Sequence, residues 1–143
     1  MIFTQDAIKN ADIKDLENFS IMPSLKKIAV INLGINKEDL IKIVDKKYSV
    51  SVFNYDFDID YIKNNFDVVF ISNGDIEGEN FNILIEKIKK LIGKNIILGV
   101  GFGKKVIKKT MDIKYEGNYI DNELKVYGCE VKDDYMKKIL KFI

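Results

Sequence analysis

The stretch Asn95-Ile96-Ile97-Leu98-Gly99-Val100-Gly101-Phe102-Gly103-Lys104-Lys105 decides the fold. Its apolar first half predicts a buried strand, and its lysine-containing second half predicts the start of a helix. The alternating glycines between the two halves predict a tight strand-to-helix turn. This layout is typical of a nucleophile elbow, a turn that exposes one side chain above the edge of a sheet. Where that side chain is expected, the chain has Gly101, whose side chain is a hydrogen atom.

Strand-like segments alternate with helical patterns along the rest of the chain. The predicted strands are residues 27–32, 48–54, 67–72, 95–100 and 124–129, and the predicted helices are residues 37–47, 58–65, 81–92, 104–110 and 133–142. Strands without strict alternation, separated by amphipathic helices, indicate a parallel sheet covered on both faces. We therefore expect an α/β fold, a three-layer flavodoxin-like sandwich with a five-stranded, mainly parallel sheet.

The only proline, Pro23, marks the one plausible domain boundary. Before it, apolar residues at helical spacing predict a helix over about residues 4–18. We expect residues 1–25 to form a partly helical N-terminal extension and residues 26–143 to form the α/β domain.

Composition excludes several functional classes. The 23 basic and 22 acidic residues give a net charge of +1, whereas nucleic-acid-binding proteins usually carry a basic excess. No apolar run approaches the roughly 18 residues of a membrane span, and the N-terminus does not resemble a signal peptide. The single cysteine, Cys129, fits a reducing compartment. We expect a soluble cytoplasmic protein that binds neither nucleic acid nor a membrane, and the sequence leaves its oligomeric state open.

Three segments are similar to class I glutamine amidotransferase domains, above all the carbamoyl-phosphate synthetase small subunit. They are KKIAVINLGI at residues 26–35, VVFISNG at residues 68–74 and ILGVGFGKK at residues 97–105. In that family the corresponding segments read roughly KIAVYDFGIK, GIFLSNGPGDP and VFGICLGHQ. Their order and spacing agree over residues 26–105. Residues 126–130 resemble a short remnant of the family's terminal segment, which carries a histidine.

The resemblance implies a domain that has lost its catalytic residues. In the family, an elbow cysteine attacks the glutamine side-chain amide and a later histidine accepts its proton. Here the nucleophile position is Gly101, the base position falls on Cys129, and the chain contains no histidine. The leucine and glutamine that help to hold the substrate become Phe102 and Lys105. We therefore predict no catalytic residue, no cofactor and no metal.

The oxyanion-stabilising loop is only partly retained. Ser72, Asn73 and Gly74 match the family motif, but the following residues include Asp75 and Glu77. Their carboxylates would oppose a developing negative charge. The residues that we predict to bind a ligand lie on this loop and on the elbow: Ser72, Asn73, Gly74, Gly101, Phe102, Gly103 and Lys104.

Two interpretations of the glycine-rich turn remain open. Glycines allow a helix and a strand to pack closely, and glycine-freed N–H groups at a helix N-terminus also attract anions. The turn fits neither common phosphate motif. A Walker loop has four residues between its glycines and a Ser or Thr after the lysine. A dinucleotide fingerprint follows the first strand, whereas this turn follows the fourth.

Three functional hypotheses follow. The first is an inactive amidotransferase-like domain that binds a synthetase-type subunit, such as a carbamoyl-phosphate synthetase large subunit, as a structural or regulatory partner. The second is a stand-alone module that binds a small anion or metabolite at the glycine-rich edge. The third is a residual enzyme with Cys129 as nucleophile, although Cys129 also fits a small buried apolar residue.

Overall fold

A computed structural model describes residues 2–4, 9, 12, 18–22, 26–114 and 116–143, and side chains are not described for residues 2–4 and 19–22. The strands are β1 (Ile2–Thr4), β2 (Phe19–Met22), β3 (Lys27–Ile31), β4 (Ser49–Phe53), β5 (Val68–Ile71), β6 (Ile96–Val100), β7 (Tyr119–Asp121) and β8 (Val126–Cys129). The helices are α1 (Lys37–Val44), α2 (Ile59–Asn65), α3 (Gly78–Lys89), α4 (Phe102–Met111) and α5 (Tyr135–Leu140). The helix predicted over residues 4–18 lies mostly outside the described residues.

The described strands form one sheet in the order β1-β2-β4-β3-β5-β6-β8-β7. Its centre, β4-β3-β5-β6-β8, consists of parallel strands. These are the five predicted strands, and their order is the flavodoxin-like one. The α/β fold class is therefore confirmed.

The predicted number of five strands is too small, because the described sheet has eight. β1 pairs with β2, β2 lies antiparallel to β4, and β7 lies antiparallel to β8. These three strands have three or four residues each, too few to show a long apolar run. The predicted N-terminal extension thus contributes two strands to the same sheet.

Two apolar layers cover the sheet. Ile28 and Val30 face a core cluster that includes residues of α1 and α5. The intervening Ala29 and Ile31 face the opposite cluster, which includes residues of α2, α3 and α4. Because β3 is buried on both sides from Ile28 to Ile31, those four residues are all apolar. None of the helices in the described part of the chain is long and apolar enough to cross a membrane.

The parallel topology brings distant loops to one edge of the sheet. The loops after β3, β5, β6 and β8 all leave the carboxyl ends of adjacent strands. Ligands of open α/β sheets bind beyond this edge. The segments that resemble an amidotransferase therefore meet there although they lie far apart in the sequence.

Candidate functional site

The turn between β6 and α4 has the sharp geometry that the sequence predicts. Gly101 has φ 57° and ψ −116°, a combination that costs other residues about 1–3 kcal/mol. Its N–H donates to the carbonyl oxygen of Cys129 at 2.9 Å, so β8 holds the turn in place. The backbone of an elbow is therefore present, without a functional side chain at its tip.

Neighbouring side chains fill the space above Gly101. A Cβ atom at residue 101 would lie 2.3 Å from Oδ1 of Asn73 and 2.7 Å from Cγ2 of Val131. The same Asn73 oxygen accepts a hydrogen bond from the N–H of Phe102 at 3.0 Å. A backbone donor at the start of α4 is thus already bonded within the chain.

Gly99 and Gly103 allow close packing between α4 and the sheet. A Cβ atom at Gly103 would lie 2.0 Å from the carbonyl oxygen of Ile71, and one at Gly99 would lie 2.7 Å from the carbonyl oxygen of Gly103. At these two positions the packing interpretation of the turn explains the glycines.

Ser72 fastens two loops together. Its buried hydroxyl accepts from the N–H of Leu33 at 2.9 Å and donates to the carbonyl oxygen of Asn73 at 2.9 Å. It therefore positions the neighbouring loop and does not line the cavity described next.

A cavity of ≈ 480 Å³, here called the elbow cavity, opens above the turn. It brings together five of the seven predicted site residues, whereas Ser72 and Gly103 lie beneath it. Its lining residues are Asn73, Gly74, Gly101, Phe102, Lys104, Lys105, Lys108, Glu116, Glu130 and Val131. Sequence reasoning missed Lys108, Glu116, Glu130 and Val131. Glu130 and Val131 could have been found from the sequence, because they follow the fifth predicted strand. In a flavodoxin-like sheet that strand lies beside the fourth, which leads into the elbow.

The Lys104 ammonium group is bound within the chain. Lys104 is only 6% exposed, and its Nζ lies 3.0 Å from the Gly117 carbonyl oxygen and 3.2 Å from Oε1 of Glu130. Lys132 lies 3.1 Å from the other carboxylate oxygen. Hydrogen bonds from Lys132 and Lys104 lower the pKa of the Glu130 carboxyl group. Lys104 therefore joins α4 to the end of β8.

The Cys129 thiol lies away from the elbow cavity. Its side chain belongs to the core cluster on the side of α1 and α5, and it lines a second cavity of ≈ 120 Å³. Burial raises the pKa of this thiol, which favours the protonated form. The resemblance puts the base at Cys129. In this segment, however, the residue whose side chain borders the space above Gly101 is Val131.

The fold and the site define a class: a flavodoxin-like α/β domain with an elbow after its fourth parallel strand and glycine at the tip. Curated relatives identify that class further. The carbamoyl phosphate synthase small chain of Clostridium perfringens is 33% identical over 96 residues, which are 66% of this chain and 28% of the relative. The arginine-specific small chain of Candida albicans is 34% identical over 103 residues, 66% of this chain and 24% of the relative. The chain thus spans about a quarter of the length of these relatives.

A solved structure shares the fold. One of the subunits of a GMP synthase from Thermoplasma acidophilum aligns with a TM-score of 0.51 and 16% sequence identity, covering 69% of this chain and 53% of that one. No family model matches the chain. This neighbour supports the fold alone, whereas the similarity to the small chains supports a glutamine amidotransferase-like domain.

Proposed function

We propose that this chain is a glutamine amidotransferase-like domain without glutaminase activity, and that it acts as a structural or regulatory partner of a larger synthetase. The observation that carries the proposal is the elbow itself. Its backbone geometry is retained at Gly101, but it bears no nucleophile, and Asn73 and Val131 occupy the space where one would project.

The other parts of an amidase are altered as well. Because the chain has no histidine, it lacks the usual base for a thiol or hydroxyl. The nearby Glu130 carboxylate is bound by two lysines, which reduces its basicity. The Phe102 N–H, which the resemblance suggests as an oxyanion donor, is bonded to Asn73. Replacing one residue would therefore not assemble a catalytic centre.

The partnership rests on the relatives. Curated proteins similar to this chain are named small chains of carbamoyl phosphate synthase, a name that implies a larger companion. A large subunit of that enzyme, or a similar synthetase, is the partner that we propose. Nitrogen would then come from free ammonia and not from glutamine held by this domain.

Two measurements test the two halves of the proposal. Purified chain should release ammonia from glutamine at the rate of a no-protein control, and turnover well above that rate would refute the inactivity. Tagged chain isolated from its own cells should carry a synthetase subunit in near-stoichiometric amount. Recovery of the chain alone would refute the partnership and leave the inactivity standing.

Anion binding at the elbow cavity has weaker support. Lys104 pairs with Glu130, and Lys108 lies 3.7 Å from the Glu116 carboxylate. Each carboxylate offsets the lysine charge that an anion would need. Lys105, the third lysine of the lining, forms no ion pair within the described part of the chain, so the lining keeps one net positive charge. The stand-alone anion-binding module remains the second hypothesis.

A further inference from the structure

We propose that the second cavity, between β7 and α5, binds a small carboxylate that carries a short apolar tail. We call it the lysine cleft. It lies on the opposite side of β8 from Lys104, and it plays no part in the function proposed above. Its volume is ≈ 120 Å³, and the groups that carry the argument are Ile120, Cys129, Lys138, Ile139, Lys141 and Phe142.

Fixed apolar walls give the cleft its shape. The Phe142 ring stacks on Tyr127 with centroids 4.0 Å apart and an interplanar angle of 10°. Ile139 is buried, whereas Ile120 is 56% exposed at the sheet edge. A ligand with a hydrocarbon portion would cover the exposed Ile120 surface and gain the free energy of apolar burial.

Among the described residues, the cleft is also lined by two lysines and by no carboxylate. Lys138 and Lys141 lie three residues apart on and just after α5, a spacing that puts both on one helix face. Within the described part of the chain, neither ammonium group forms an ion pair, unlike Lys104 and Lys108. Among the residues that the structure describes, the lining of the elbow cavity holds two carboxylates beside its three lysines, whereas the lining of the lysine cleft holds none beside its two.

The side-chain amide of Asn118 also lines the cleft. Oδ1 of Asn118 accepts a hydrogen bond from the Glu130 N–H at 2.8 Å, which leaves the Nδ2 end of this cleft residue as its donor. Glu130, whose carboxylate acts on the Cys129 thiol, is itself held by Lys104 and Lys132. A carboxylate would therefore meet cationic and donor groups on one side and hydrocarbon on the other.

The positive charge extends to the floor of the cleft. Burial raises the pKa of the Cys129 thiol, the ammonium groups of Lys138, Lys104 and Lys141 oppose that rise, and the Glu130 carboxylate adds to it. Size limits the ligand further, because typical pockets for drug-sized molecules measure roughly 300–1,000 Å³. The cleft suits a chain of a few carbons and excludes nucleotides.

The test is an NMR titration of ¹⁵N-labelled full chain with butyrate, with its uncharged analogue butyramide, and with inorganic phosphate. Butyrate should shift the amide signals of Gly128 and Cys129 saturably. Lys138→Gln and Lys141→Gln should each weaken its binding about twofold to fivefold. Lys137→Gln is the matched control, since Lys137 is on the same helix but does not line the cleft, and it should leave binding unchanged.

Several outcomes would overturn the proposal. Equal binding of butyramide would remove the role of the lysines, and equal binding of phosphate would indicate only a general cationic surface. An effect of Lys137→Gln as large as that of Lys138→Gln would show that net charge acts at long range. Absence of saturable shifts at millimolar butyrate would mean that the cleft binds no such ligand. Thermal unfolding of each variant should match the parent, because these lysines are exposed.

Discussion

Both the backbone conformation and the packing at residue 101 require glycine. Its φ of 57° is unfavourable for any side chain, and Asn73 and Val131 leave no room for a Cβ atom. The sequence predicted the turn because an apolar run leads into glycines. It did not predict the packing above the turn, since Val131 follows a strand about thirty residues later.

We expect Gly101→Ala to lower the free energy of unfolding by about 1–3 kcal/mol through backbone strain alone, with a further loss from the contacts to Asn73 and Val131. Gly78→Ala is the matched control, because Gly78 also has a positive φ, of 64°, but nothing within 4 Å of the position of a Cβ atom. Urea unfolding of both variants measures the difference. Equal losses would mean that Asn73 and Val131 move aside at no cost.

The bonds from Lys132 and Lys104 to Glu130 predict a dependence of stability on acid pH. They hold the pKa of the folded carboxyl below its usual value of 4.5. A group with a lowered folded pKa stabilises the fold above its unfolded pKa, and that stabilisation is lost as pH falls through the folded value. We therefore expect stability to fall in the region below pH 4.5, and to fall less in Glu130→Gln. Urea unfolding at several pH values measures this, and identical pH profiles would contradict it.

Among the elements, α5 has a polar contact with α1. The Tyr135 hydroxyl lies 2.7 and 2.6 Å from the two carboxylate oxygens of Asp39, and Asp39 is buried at 4% exposure. This bond joins α5 to α1. The sequence predicted a closing helix over residues 133–142, but the partner of Tyr135 is 96 residues away and is supplied by the topology.

Tyr135→Phe should cost about 1–3 kcal/mol of stability, because it leaves the buried Asp39 carboxylate without this donor. Tyr61→Phe, at a tyrosine that is 51% exposed, should cost little. If the contact is the cause, adding Asp39→Asn to Tyr135→Phe will cost less than the two single changes added together. Strict additivity in urea unfolding would show that the two residues do not interact.

The same contact predicts a loss of stability in alkali. Burial, followed by the hydrogen bond to Asp39, raises the pKa of Tyr135 from 10.0 to about 12. A group with a raised folded pKa contributes stability below its unfolded pKa, and that contribution disappears as pH rises through the folded value. We expect the free energy of unfolding to decline between pH 10.0 and about 12, less steeply in Tyr135→Phe. Parallel declines in both proteins would assign the alkaline loss to other groups.

For the whole molecule, the central sheet could be predicted because most residues of its strands are buried and apolar or β-branched. The outer strands β1, β2 and β7 could not, since strands of three or four residues leave little pattern. Only some residues of the candidate site could be predicted from the sequence. Residues on the elbow and on the loop after β5 appear in recognisable segments, whereas Glu116, Glu130 and Val131 reach the elbow cavity through the fold.

That placement gives a test of which position faces the elbow. In Gly101→Cys the new thiol should point toward Val131, whose Cγ2 lies 2.7 Å from the expected Cβ position, and away from the side of the sheet that holds Cys129. Adding Val131→His should lower the pKa of the new thiol, since a nearby imidazolium stabilises the thiolate. Adding Cys129→His should leave the pKa of the new thiol unchanged.

The pH dependence of alkylation at residue 101 measures the thiol pKa in each variant. Cys129→Ser is present in the Gly101→Cys and Val131→His variants so that only one thiol reacts. Gly101→Cys alone should leave glutamine hydrolysis at background, because it brings neither a base nor a free oxyanion donor. A lowered thiol pKa with histidine at position 129, and none with histidine at position 131, would place the missing base where the sequence resemblance puts it and not where the fold does.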